Sequence, residues 1–207
     1  MTQRLFIIGA TGHTGTQLID LALARGHNVT AFARSPSKIA RRHERLTVAP
    51  GDPLSTDELA RALPGHDVVL SALGMRPPGA FRPHTLVQAG AASTVAAMTR
   101  AGVPRLVLVS AAVLFPLRGL RYAFFRALLK HIARDLGAAE DIVRATGLEW
   151  TIARPPRLVS RASENYRSAR DALPAHARAM SFRAVAAFML DAVEERRYVH
   201  EIVGLAS

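Results

Sequence analysis

The stretch Leu5-Phe6-Ile7-Ile8-Gly9-Ala10-Thr11-Gly12-His13-Thr14-Gly15 decides how the rest of this chain is read. Four consecutive apolar residues show no period-two alternation, so a strand made from them has both faces covered and belongs near the centre of a parallel sheet. Gly9 ends the run. From Thr14 to Arg25 the apolar residues Leu18, Ile19, Leu21, Ala22 and Leu23 recur at helical spacing, and Gly26 stands where a left-handed cap ends a helix. A glycine turn between a buried strand and a helix lets backbone approach a pyrophosphate, with the first N–H groups of the helix facing the anion. The spacing is G-x-x-G-x-x-G rather than G-x-G-x-x-G, so the placement of the glycines, more than their pattern, points to a dinucleotide. The competing reading is a glycine-rich turn with no ligand.

Outward from this unit the alternation continues. Asn28 to Ala33 reads as a second strand and Arg45 to Ala49 as a third, closed by the turn residues Pro50-Gly51-Asp52-Pro53. Ser55 and Glu58 have the spacing of a capping box for a following helix. Asp67 to Ala72 is a fourth strand, a helix of small residues runs from about Thr85 to Arg100, and Arg105 to Ser110 is a fifth strand. A helical stretch from Tyr122 to Ala145, with a break near Arg134, leads to a sixth strand at Glu149 to Ala153. The segment from Arg157 to Ala179 reads as irregular, Phe182 to Glu194 as a helix and Tyr198 to Leu205 as a last strand. The expected fold class is α/β: a single Rossmann-type domain over residues 1–207, its doubly wound, mostly parallel sheet covered by helices on both faces.

Composition agrees. Hydrophobic residues make up 49% of the chain and aromatics only 6%, a core of small aliphatic side chains suited to helices on a parallel sheet. With no cysteine, disulfides, thiolate nucleophiles and Cys-ligated metals are excluded, and the eight histidines show no metal-ligand spacing. A strand begins almost at the N-terminus without a basic-then-apolar leader, and no apolar run approaches about 18 residues. The expectation is a soluble, cytoplasmic protein. The net charge of +11 is unevenly spread: no acidic residue lies between Asp67 and Asp135, where Arg76, Arg82, Arg100, Arg105, Arg118, Arg121, Arg126, Lys130 and Arg134 all fall. That segment is expected to carry a positive field. Tyr122, Phe124 and Phe125 interleave with it, yet no nucleic-acid motif accompanies the charge. A lid favouring an anionic small-molecule substrate is preferred to nucleic-acid binding, with an ordinary solvated helix face as the plain alternative.

Arg34, at the end of the second strand, stands where a ribose 2′-hydroxyl would call for an acidic residue and a 2′-phosphate for arginine, and Lys38 follows it. NADP(H) is the cofactor this implies, unless Arg34 is merely a solvated strand end. Asp52 is either an adenine-amino acceptor or a turn residue.

Gly9 to Gly15, Ala31-Phe-Ala-Arg34-Ser-Pro-Ser-Lys38, Gly51-Asp52, Val109-Ser110 and Thr146-Gly-Leu-Glu-Trp-Thr-Ile-Ala-Arg154-Pro155 together resemble the atypical short-chain dehydrogenase/reductases of the NmrA-like group, which includes the flavin reductase/biliverdin reductase B proteins. The resemblance implies that the glycine loop holds the pyrophosphate, that Arg34 holds the 2′-phosphate and that Ala72, Leu73 and Gly74 run beside the nicotinamide ribose. The expected cofactor-binding set is Gly9, Thr11, Gly12, His13, Thr14, Gly15, Arg34, Lys38, Asp52, Ala72, Leu73, Gly74 and Pro155. Short-chain dehydrogenases protonate a carbonyl with a Tyr assisted by a Lys four residues later. With Glu140 matched to the similarly placed Glu of the family, those positions hold Ile132 and Leu136, so the dyad is absent. The His that the biliverdin and flavin reductases carry after the Pro-Pro is replaced by Arg157. Ser110, at the C-terminal end of the fifth strand, is the candidate catalytic residue, with a purely structural role as the alternative. Trp150 is read as core. Two functions follow: an NADPH-dependent oxidoreductase that passes hydride to a flavin, quinone or other conjugated acceptor needing no protein acid, or a non-catalytic NADP(H) sensor that controls a protein partner.

Overall fold

Leu5 and Ile7 of the opening strand enter one buried cluster, while Phe6 and Ile8 enter another on the opposite side. That division explains the lack of alternation, because both faces of this strand are interior. The computed structural model describes residues 2–74, 82–116 and 128–207. In chain order its strands are β1 (Arg4–Ile8), β2 (Asn28–Ala33), β3 (Leu46–Pro50), β4 (Val68–Ser71), β5 (Arg105–Val109), β6 (Glu149–Arg154), β7 (Leu158–Val159), β8 (Arg167–Arg170), β9 (Met180–Ser181) and β10 (Glu201–Ala206). The helices among the described residues are α1 (His13–Ala24), α2 (Thr56–Ala62), α3 (Leu86–Ala101), α4 (Lys130–Arg144) and α5 (Phe182–Glu194).

The main sheet has the order β3-β2-β1-β4-β5-β6-β10-β8, parallel throughout except for β8, which runs antiparallel to β10. A two-stranded parallel sheet joins β7 to β9. Helices α1 and α5 cover one face and α2, α3 and α4 the other. The α/β, doubly wound reading is therefore correct. The chain moves outward from β1 through β2 to β3 and then returns to the far side of β1 as β4, so the switch of direction lies between β1 and β4, where open sheets of this kind receive ligands.

Three local expectations need correction. Arg157 to Ala179 is not wholly irregular: it contains β7 and β8, whose partners lie far along the chain and left no periodic signal. The last strand starts at Glu201, not Tyr198, because Tyr198 and His200 adopt left-handed φ values of 60° and 58° that a strand cannot include. Helix α4 passes through Arg134 unbroken. The part of that expected helix before residue 128 lies outside the described residues, as do Arg76, Arg118, Arg121, Tyr122, Phe124, Phe125 and Arg126. Two described members of the basic stretch between Asp67 and Asp135 are not free surface charges: Arg100 is exposed but pairs with Asp57 at 2.7 Å, and Arg105 is buried. Burial pushes the Arg105 guanidinium down to about 10, while it donates to the carbonyls of Glu149 and Arg197 and to Thr151 Oγ1. Among the described residues no helix is long and apolar enough to cross a membrane.

Candidate functional site

The glycine loop lies at the switch between β1 and β4, and its three glycines do different work. Gly9 has a φ of +79°, and a Cβ there would stand 2.6 Å from the Ala72 carbonyl oxygen. A Cβ at Gly15 would stand 2.2 Å from Gly9 O. Both are therefore demanded by the fold itself, Gly9 so that the loop can lie against the end of β4 and Gly15 so that α1 can pack under the loop. Gly12 differs: its φ of −81° is ordinary, and its added Cβ would meet only Gly9 O, at 3.2 Å. Nothing comparable inside the fold requires glycine at that position. Helix α1 begins immediately afterwards with Gly12 as its cap residue, no side-chain cap and no acidic residue in its first turn. An anion is the natural complement to such an end.

Two clefts share this loop. The first, of about 320 Å³, is lined by Gly9, Thr11 and Gly12, by Phe32 to Ser35 with Lys38, and by Ala72, Leu73 and Gly74. Arg34 and Lys38 are exposed at one end of it, and neither is ion-paired among the described residues. The second, of about 280 Å³, shares Gly12, Ala72, Leu73 and Gly74 and continues past His13 and Thr14 to Val109, Ser110, Leu158 and Phe182. Ile132, Asp135 and Leu136 of α4 and Val87 of α3 close it. The positions of the missing Tyr/Lys pair thus face the cleft as aliphatic side chains.

Not every expected residue reaches these clefts. Asp52 accepts a hydrogen bond at Oδ1 from Leu54 N, 3.0 Å away, and its neighbour Pro53, not Asp52, lines the first cleft. The geometry is that of an Asx turn. Pro155 is buried beyond both clefts, where its carbonyl accepts from Ala112 N. His13 lies against the Phe182 ring with centroids 4.9 Å apart. Trp150 is core, 8% exposed.

Ser110 lines the second cleft, but its hydroxyl proton is already engaged: Oγ donates to Glu140 Oε1 at 2.5 Å. The same carboxylate receives Arg154 through Nε at 3.0 Å and Nη2 at 2.5 Å, and the Arg154 guanidinium lies 4.7 Å from the centroid of Phe115. With Glu140 2% exposed, this is a buried ion pair with a serine attached. The residue the sequence reading missed is His84. Its side chain, 10% exposed, places Nδ1 2.9 Å from Asp135 Oδ2, near enough for an ion pair though not aligned as a hydrogen bond. Asp135 accepts in addition from the N–H groups of Val87 and Gln88, at 3.0 and 2.9 Å, and so caps α3 from the neighbouring helix. No local spacing signals a pair separated by 51 positions.

A model of the NAD(P)H-binding family matches residues 9–196, the span that carries both clefts. The chain belongs to that family. The nicotinamide-cofactor reading stands on that match. This NAD(P)H-binding chain is 30% identical over 166 residues to an uncharacterised chloroplastic protein of Arabidopsis thaliana; the match takes in 74% of the chain and 59% of the length of that relative. Among solved structures, a Rossmann-fold NAD(P)-binding family protein of Shigella flexneri superposes with a TM-score of 0.79 at 25% identity, covering 100% of this chain and 94% of the other. A short-chain dehydrogenase/reductase of Veillonella parvula, solved in complex with NADP, has the same fold, with a TM-score of 0.84, 20% identity and coverage of 100% and 95%.

Proposed function

We propose that this NAD(P)H-binding protein is an NADPH-dependent reductase of a flavin, a quinone or a similar conjugated acceptor. The observation that carries the reading is the pair of clefts joined through Gly12, Ala72, Leu73 and Gly74: one ends on two cations without an ion-pair partner among the described residues, the other on a wall of aliphatic and aromatic side chains. In this reading the backbone of the glycine loop and the start of α1 hold the pyrophosphate, Arg34 and Lys38 hold the 2′-phosphate, and Ala72 to Gly74 run beside the nicotinamide ribose. Bound there, the cofactor supplies a hydride. Val87, Val109, Ile132, Leu136 and Phe182 then offer a flat acceptor an apolar seat and exclude water from it. Conjugated acceptors spread the incoming charge over the ring, which suits a cleft whose Tyr and Lys positions hold Ile132 and Leu136.

NADPH oxidation by the purified protein with FMN, menadione and a panel of simple ketones tests this reading. Turnover is expected with the first two at rates well above any ketone. Tight NADPH binding without turnover of any acceptor would replace the reductase by a sensor that reports the NADP(H) pool to a protein partner. Cofactor choice has its own test. A charge-assisted hydrogen bond contributes about 1.5–3 kcal/mol, so Arg34→Ala is expected to weaken NADPH by one to two decades and NADH far less. Titration of both cofactors against both proteins measures it, and equal losses would remove Arg34 from the 2′-phosphate.

A further inference from the structure

We propose that His84, paired with Asp135, is the proton donor of the second cleft. The inference rests on the reductase reading above and supplies what the missing Tyr/Lys pair leaves open. Four observations meet at this residue. Its ring lines the cleft together with Ser110, Ile132 and Leu136. Its side chain is nine-tenths buried, and Nε2 has no hydrogen-bond partner among the described residues. A buried ring nitrogen without a partner costs free energy unless something in the cleft accepts from it. Nδ1, on the other side of the ring, faces a carboxylate that is itself fixed by two backbone N–H groups of α3. Asp135 is thus a rigid anion beside one edge of an imidazole that lines the cleft, with the other edge left without a partner among the described residues.

The imidazolium is the donor form, and a carboxylate beside Nδ1 selects the Nδ1–H tautomer once the proton on Nε2 has gone. As the acceptor gains hydride, an electron pair builds on its carbonyl oxygen or ring nitrogen. The Nε2–H bond of His84 breaks, the proton bonds to that atom, and the imidazole is left neutral with its remaining proton toward Asp135. Solvent restores the lost proton once the product leaves. Ser110 cannot take this part while its own proton is donated to Glu140. Asp135 is a positioning residue, acting only through His84. The other titratable groups lining the cleft are Asp135 from α4 and His13 from the start of α1, with Glu140 and Arg154 behind Ser110.

Two independent readouts test the proposal. In the protein without cofactor, a nitrogen-15 spectrum of the histidine rings across pH 5–9, assigned by comparison with His84→Gln, follows each nitrogen of His84. Nε2 is expected to lose its proton while Nδ1 keeps one, and in Asp135→Asn that preference is expected to disappear. A ring that stays neutral over the whole range, or that loses its proton from Nδ1, overturns the assignment. The second readout is the single-turnover rate of NADPH oxidation by menadione. His84→Ala is expected to lower it about 100-fold or more, as for loss of a general acid, with NADPH affinity unchanged and part of the rate restored by added imidazole. A His84→Ala rate within threefold of wild type overturns the proton donor and leaves the reductase standing. Absence of turnover by the wild type with every acceptor overturns the reductase and the donor together. If His84→Ala does not fold, the nitrogen-15 titration of the wild type decides alone.

Discussion

Gly12→Val is expected to abolish measurable binding of NADPH and NADH alike while the chain stays folded. The contrast among the three loop glycines makes this a ligand test and not a packing test. At Gly9 and Gly15 an added Cβ runs into backbone at 2.6 and 2.2 Å, so substitution there disrupts the loop whether or not a cofactor binds. At Gly12 the φ and ψ of −81° and 169° suit valine, and the single close neighbour at 3.2 Å yields with a small shift. The branched side chain projects instead into the space shared by the two clefts, where backbone has to approach pyrophosphate. A loss of two decades or more, about 2.7 kcal/mol, is expected for both cofactors, because the pyrophosphate is common to them. Titration of each cofactor with circular dichroism and a thermal melt as controls measures it. Unchanged binding in a folded variant would reduce the loop to a turn.

What was legible in the sequence follows from the range over which each signal acts. β1, the glycine loop and α1 are consecutive, so one reading of apolar period and glycine placement placed them within a residue. Ser55 likewise accepts from Glu58 N as the local capping pattern predicts, although the Glu58 carboxylate turns to Asp52 N instead of back to the cap. Arg34 and Lys38 were legible for the same reason, being attached to the end of a strand whose neighbours were clear. The second cleft was not. Its walls come from β5, α3, α4 and the residues around β7 and α5, brought together only when the sheet forms. His84 and Asp135 meet across two helices, as do Ser110, Glu140 and Arg154 across β5, α4 and β6. Charge counting along the chain misled for a related reason: Arg105 looked like part of a basic surface but is buried among carbonyls of its own fold.

Glu140→Leu is expected to be the most destabilising substitution near the second cleft. The carboxylate is 3% exposed and the Arg154 side chain 12%, so solvent does little to screen the charge left behind. Removing one partner of a buried ion pair costs about 3–5 kcal/mol, because the other charge stays buried without compensation. For a chain of this size each kcal/mol lowers the melting temperature by about 2–4 °C, so a fall of about 10 °C is expected. Pairing Glu140→Leu with Arg154→Met should recover most of it, since a well-packed apolar pair can replace a buried ionic one. Ser110→Ala removes one of three donors to the carboxylate and is expected to cost about 1–2 kcal/mol, with less than a tenfold loss of reductase rate. Thermal melts of the single and double variants, with menadione rates for Ser110→Ala, separate scaffold from chemistry. A Ser110→Ala rate lowered 100-fold at unchanged stability would move Ser110 from the scaffold of the cleft into its chemistry. A Glu140→Leu melt within 2 °C of wild type would mean that Arg154 finds water or another partner once the carboxylate is gone.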